Sequence, residues 1–122
     1  FEENSFDVVI CNHVLEHVDD SNKVMREFYR VMRPGGWGIF QVPIDNNNPN
    51  TIEDKSVTDP KDRERLYWQS DHLRLFGRDY GDRLSKAGFK VTESDYINEL
   101  DPKLVERYAL PKNEKVYFCE KI

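Results

Sequence analysis

Within the first 42 residues two short apolar runs flank one amphipathic stretch, and this succession constrains the fold more than any other feature. Phe6 to Cys11 reads FDVVIC, a β-branched run behind a polar start, the composition of a parallel strand covered on both faces. A central strand is expected there. From Ser21 to Met32, Val24, Phe28, Val31 and Met32 fall on one helical face, and Asp19, Asp20 or Ser21 can cap the first turn. Arg33 to Gly36, RPGG, stops that helix, because proline disfavours the α conformation before it and the glycines permit a tight reversal. Trp37 to Val42 is a second apolar strand, ended by Pro43. Strand, helix and strand with short connections make a right-handed βαβ unit, hence a parallel pair and an α/β fold.

The remainder extends that unit. A polar excursion opens at DNNNPN and occupies about residues 44–76, with a short helix expected from Pro60 under an Asp59 cap. Excursions of this length at the carboxyl end of a parallel strand act as lids or binding loops, since that edge of an open α/β sheet holds ligands. A further helix is expected over Gly77 to Ala87, with Tyr80, Leu84 and Ala87 on one face and Gly88 as its left-handed end. Phe89 to Tyr96 alternates apolar and polar residues, Asp101-Pro102 begins another short capped helix, and Glu114 to Lys121 reads as the last strand. No repeat or low-complexity tract divides the chain, so residues 1–122 read as one domain.

Charge and hydropathy exclude whole classes of partner. The 18 basic and 23 acidic residues leave a net charge of -5 with no basic cluster, so the electrostatic footprint that nucleic acid requires is missing. No apolar run has bilayer-spanning length, and FEENSF lacks the regions of a signal peptide, so a cytoplasmic protein without membrane contact is expected. Cys11 and Cys119 sit in apolar strand-like runs, where a buried free thiol competes with a disulfide.

The string CNHVLEHV raises a metal question, because His13, Glu16 and His17 spell HxxEH, the zinc pattern of the inverzincin proteases. That pattern needs both histidines inside one helix. Here Asn12 and His13 follow directly on a strand and the next helix begins only near Asp20, so no metal site is expected and a zinc hydrolase is the least favoured reading. The only GxG, Gly36-Trp37-Gly38, precedes a strand instead of following one, and Gln41 stands where the fingerprint needs a glycine.

FEENSFDVVICNHVLEHV, then VMRPGGWGIFQVP at Val31 to Pro43, then LSKAGFKV at Leu84 to Val91, together with WQSDHLRLFGRDY at Trp68 to Tyr80, resemble the class I S-adenosylmethionine-dependent methyltransferases. The similarity is to the C-terminal half of that family, in its small-molecule and quinone methylase group. It implies a partial Rossmann-like sheet in which the strands correspond to the fourth to seventh of seven, in the order 4-5-7-6 with the last antiparallel. Cys11 and Cys119 would then lie two strand spacings apart, beyond disulfide reach. It also implies S-adenosylmethionine as cofactor and a small-molecule methyl acceptor. The family's glycine-rich turn and the acidic residue that holds the ribose have no counterpart in the sequence.

Carried over by position, Asn12, His13 and Val14 would lie beside the methionyl part of the cofactor. His17 is a candidate for acceptor orientation or proton removal, or else for a hydrogen bond that closes the turn. His72 and Arg74 alternate in DHLRLF and would face one side, either toward an anionic or hydroxylated acceptor or in a lid fastened by an Asp71–Arg74 ion pair. Tyr67 and Trp68 could line an apolar acceptor pocket or form satellite core, and Gln41 and Pro43 border the same cleft. His17 and His72 are thus the candidate catalytic residues. Without the strands that would flank it, Phe6 to Cys11 becomes an exposed apolar edge, for which a homodimer joined along residues 6–11 is the expected remedy.

Overall fold

The computed structural model describes residues 1–122 and contains one four-stranded sheet with helices packed on one of its faces. In chain order the main elements are β1 (Phe6–Asn12), α1 (Ser21–Val31), β2 (Met32–Gln41), α2 (Pro60–Tyr67), α3 (Tyr80–Lys86), β3 (Lys90–Ser94), α4 (Pro102–Arg107) and β4 (Val116–Glu120). The strand order is β1-β2-β4-β3, with β1 parallel to β2 and β4 antiparallel to both of its neighbours. This is the order and orientation that the family resemblance implies. None of the helices is long and apolar enough to cross a membrane.

The caps explain where three helices begin. Asp20, Asp59 and Asp101 each accept a backbone N–H of the following turn, and Pro60 and Pro102 take first-turn positions where no donor is needed. α3 starts three residues later than Gly77, because Gly77 and Arg78 donate their N–H groups to Thr51 and Asn48 instead of opening a helix. Gly77 is fixed there by space, since an added Cβ would stand 2.6 Å from the Asn50 carbonyl carbon and oxygen. The helix ends at Gly88 in a left-handed conformation, φ 118°, as expected.

Two expectations need correction. RPGG does stop α1, yet the glycines form no separate reversal: two steps along β1, Phe6 to Val8, match five along β2, Met32 to Trp37, so the segment is a bulge within the strand. Arg33 pairs with Asp7 there, its Nη1 donating to both carboxylate oxygens at 3.0 Å. β1, whose composition predicts a central strand covered on both faces, is instead an edge strand covered on one, the exposed apolar edge that the partial sheet implies. Val9 and Cys11 turn to the core, while Val8 and Ile10 are 40% and 54% exposed. The physical reason is that α1 and α3 both pack on the same side of the sheet, and nothing in the chain covers the other.

The core lies under those helices. Met25 and Phe28 of α1 and Tyr80 and Leu84 of α3 meet Phe40, Phe89, Tyr117 and Cys119 from the sheet, with Phe28 stacked on Phe40 at 5.0 Å. Cys11 and Cys119 are both buried free thiols, with β2 between their strands. The excursion after β2 is bound back onto the domain, because Ile44 bridges Phe76, Ile52 bridges Leu75, and Asp79 accepts both the N–H and the hydroxyl of Thr51. Burial alone would raise the Asp79 pKa, but the hydrogen bonds from Thr51 and Arg83 and the charge of Arg83 outweigh it and hold the carboxyl below its ordinary value.

Candidate functional site

At the carboxyl ends of β1 and β2 the sheet opens into a cleft of about 400 Å³, bordered by His13, Val42, Pro43, Trp68, Glu114 and Tyr117. It forms there because β1 stops abruptly. His13 adopts a left-handed backbone, φ 55°, and donates its N–H to the Gln41 carbonyl, the last ladder-like bond before the chain turns away. Such a conformation is costly for a residue with a Cβ and is characteristic of positions where the chain must turn sharply. Asn12 and Val14 flank it with exposed side chains. A roomier hollow of about 530 Å³ lies between α1 and α3, but charged and amide groups such as Arg26, Asp82 and Lys86 line it and no strand residue does.

Residues 13–20 form turns and no helix, as the sequence implied, so His13 and His17 do not make the HxxEH metal pair. What the turn does is bury Leu15 and Glu16 and bind residues 72–74. The Leu73 N–H donates to the Glu16 carbonyl at 2.8 Å, and Arg74 Nη1 to the Leu15 carbonyl at 2.6 Å. Arg74 is 1% exposed, and its other terminal nitrogen reaches the Asp19 carbonyl and the Glu53 carboxylate, both at 2.9 Å. Arg74 thus pairs with Glu53 inside the excursion and not with Asp71, and its bonds to the Leu15 and Asp19 carbonyls fasten the excursion to the domain; Asp71 turns to His17, 3.4 Å away. His72 is buried beneath the same turn, donating from Nδ1 to the Tyr67 carbonyl at 2.8 Å, with its ring edge-on to that of His17. Glu16, His17 and His72 bring one ligand-type atom each within 4.8 Å of one another.

The structure thus divides the sequence candidates into two groups. His13, Pro43 and Trp68 share the cleft wall. Tyr67, His72 and Arg74 are buried under the 13–17 turn and in the excursion, Tyr67 accepting the Asp54 N–H at 3.0 Å. Gln41 joins the walls without facing the cleft: its side-chain Oε1 accepts the Tyr117 N–H at 2.8 Å and its Nε2 donates to the Lys115 carbonyl at 2.9 Å. That pairing brings residues 111–115 to the cleft rim, which sequence reading had not found. Nothing local marks those residues, because their place depends on β4 inserting between β2 and β3. Glu16 was also underrated, since its burial depends on segment 72–74 crossing above it.

The Gly36-Trp37-Gly38 string lies inside β2 and has a packing cause. A Cβ on Gly36 would meet the Asp7 carbonyl oxygen at 2.8 Å, and one on Gly38 the Val9 carbonyl oxygen at 2.7 Å and the Phe40 ring at 2.6 Å. Burial pushes the Cys11 thiol up to about 11, helped by the nearby Glu16 charge, so it stays protonated and is no nucleophile at neutral pH.

Comparison with known proteins points one way. Residues 1–40 match the family described as methyltransferase domain. The ubiquinone biosynthesis O-methyltransferase of Bordetella avium is 40% identical over 47 residues, which are 38% of this chain and 19% of that enzyme. The enzyme of the same name from Pseudomonas putida is 48% identical over 44 residues, 36% of this chain and 18% of its own. Among solved structures, a Haloferax volcanii methyltransferase in complex with the Trm112 activator covers 99% of this chain at a TM-score of 0.57 and 16% identity. A Thermotoga maritima S-adenosylmethionine-dependent methyltransferase, described as a possible histamine N-methyltransferase, covers 99% at a TM-score of 0.55 and 19% identity. The matched regions are 56% and 58% of those two chains, so this chain spans little more than half the length of either. The chain has the Rossmann-like fold of class I methyltransferases, and residues 1–40 match the methyltransferase domain in sequence.

Proposed function

We propose that this chain, whose fold is that of the class I methyltransferases, is the C-terminal half of an S-adenosylmethionine-dependent methyltransferase acting on a small molecule. The observation that carries the reading is the coincidence of residues 1–40, matched to the methyltransferase domain, with the β1-α1-β2 unit whose strand ends open into the cleft at His13. Ligands of open α/β sheets bind at that edge. Asn12, His13 and Val14 take the methionyl part of the cofactor, the sharp turn at His13 leaving the Asn12 amide free to bond it. Pro43 and Trp68 contact the acceptor, while Gln41, Tyr67 and Arg74 act as positioning residues that hold the rim and the excursion 44–76, which serves as the lid. The bound sulfonium supplies an already activated methyl group, so the chain's own task is to orient the acceptor and exclude water. The ribose and adenine need a glycine-rich turn that these residues do not contain, so the chain alone holds the cofactor weakly and is inactive by itself.

Nuclear magnetic resonance titration with S-adenosylhomocysteine tests this, calorimetry being run in parallel. The expected outcome is amide shifts confined to Asn12–Val14 and the cleft at millimolar ligand, with no micromolar binding. Undisturbed amides at Asn12–Val14 would overturn the site, and micromolar binding by the chain alone would overturn its being half of one.

A second reading is favoured by the bare apolar edge at Val8 and Ile10. In it the half-sheet is a non-catalytic module that pairs with a second copy along β1, since exposed, flat apolar edges pair or aggregate.

A further inference from the structure

We propose that Glu16, His17 and His72 form a binding site for one divalent first-row transition ion, of which zinc is the best-fitting probe. The inference is separate from methyl transfer and from the HxxEH helix, which does not form. It starts from an unanswered charge. Glu16 is 2% exposed, yet its carboxylate accepts no hydrogen bond, and its Oε2 is buried without any partner. A dry carboxylate in that state is among the costliest things a fold can hold, and such groups are paired or coordinate metals.

The imidazoles around it are prepared as ligands. His72 donates from Nδ1 to the Tyr67 carbonyl at 2.8 Å, so in the neutral ring Nε2 carries the lone pair, and Nε2 makes no hydrogen bond. His17 faces Asp71 through Nδ1, 3.3 Å from the carbonyl and 3.4 Å from the carboxylate, which leaves its Nε2 3.7 Å from Glu16 Oε1. An acceptor behind each ring is the second shell that fixes the tautomer and orientation of metal-binding histidines. The 3.7 Å gap is too long for a hydrogen bond and close to the roughly 3.4 Å that separates ligands held at about 2.1 Å in a tetrahedral site. The three ligand atoms lie within 4.8 Å of one another, so modest side-chain rotation closes the site.

Two imidazoles and a carboxylate make a neutral-nitrogen and oxygen set that suits zinc or iron(II) better than magnesium or calcium. The buried cation packed on this turn, Arg74, is paired with Glu53 at 2.9 Å, although its Nε, like Glu16 Oε2, is buried without a partner. The His17 side chain is 34% exposed, which gives the ion an entrance and leaves a fourth position for water. His13, 3.7 Å from Glu16 Oε1 and mostly exposed, stands outside the trio. The ligands come from the turn after β1 and from the excursion after β2, so an ion there would join the two.

The test is titration of the chelator-stripped chain with zinc ions by calorimetry, and with cobalt(II) ions by visible absorption. One equivalent should bind, cobalt should give the intense bands of a four- or five-coordinate site, and thermal unfolding should move upward with metal. His17→Gln and His72→Gln should each weaken binding at least about tenfold. Because His72 is buried and its variant is at risk of not folding, the imidazole nitrogen resonances of the unaltered chain provide the second measurement. With only three histidines in the sequence, those of His17 and His72 should move together at one equivalent. No stoichiometric binding by the folded chain overturns the proposal, as does a titration in which His13 moves and His72 does not. Full affinity in a folded His17→Gln variant would do the same.

Discussion

At the scale of single residues, burial decides which polar groups are reactive. Cys11 and Cys119 are raised to about 11 and about 12, both by burial first, so neither carries an appreciable thiolate fraction at neutral pH. Iodoacetamide at pH 8 should therefore label the folded chain far more slowly than the chain in urea, and equal rates would show that the strands open freely. The pH dependence has a definite sign. An acid whose pKa is raised on folding contributes its full stability below the unfolded value, near 8.5 for a thiol, and loses it as pH climbs through the folded value. Alkaline destabilisation should set in above about pH 8.5 and labelling should accelerate over the same range. The identity of these thiols was readable from their apolar surroundings. The state of Glu16 was not, because an acidic residue between two turns gives no sign of being buried until residues 72–74 are laid over it.

At the scale of elements, local chemistry set the starts of helices and tertiary contact set several of their lengths. Asp20, Asp59 and Asp101 cap as their positions suggest, because a cap needs only its own next turn. α3 loses its first expected turn to Asn48 and Thr51, which are almost thirty residues earlier in the sequence and leave no mark near Gly77. β2 shows the same limit, its glycines serving the neighbouring strand and not a reversal. Gly38→Ala should destabilise the chain by about 1–3 kcal/mol, since the new methyl meets the Val9 carbonyl backbone and the Phe40 ring and neither has room to withdraw. Urea denaturation measures it, and an unchanged midpoint would mean that β1 and β2 are not held as closely as described.

At the scale of the whole molecule, the sheet is two-sided and only one side is dressed. Val8, Ile10 and Trp37 are exposed on the face away from α1 and α3, with Ile39 and Phe118 partly covered beside them. Trp37 and Phe118 pack on each other there at 5.5 Å. A continuous apolar face beside an open parallel edge is a surface made for covering. If a second copy covers it, sedimentation at high concentration should give a dimer and Ile10→Lys should give a monomer. A clean monomer for the unaltered chain would count against association through β1, leaving the face for other partners.

The sequence by itself determined the α/β class, the βαβ unit, the Asp59 and Asp101 helix caps and the ordered motifs that resemble class I methyltransferases, because each of these is written in residues close together along the chain. Only the tertiary structure decided that RPGG becomes a bulge within β2, that Gln41 holds the rim at residues 111–115, and that Arg74 pairs with Glu53. It alone brought His72 to Glu16 and His17, 55 residues apart in the case of His72 and His17 (72 − 17). The reason is common to all four. Strand order and the path of the excursion are fixed by which apolar faces can be buried together, and that choice joins residues whose spacing in the chain carries no period and no motif.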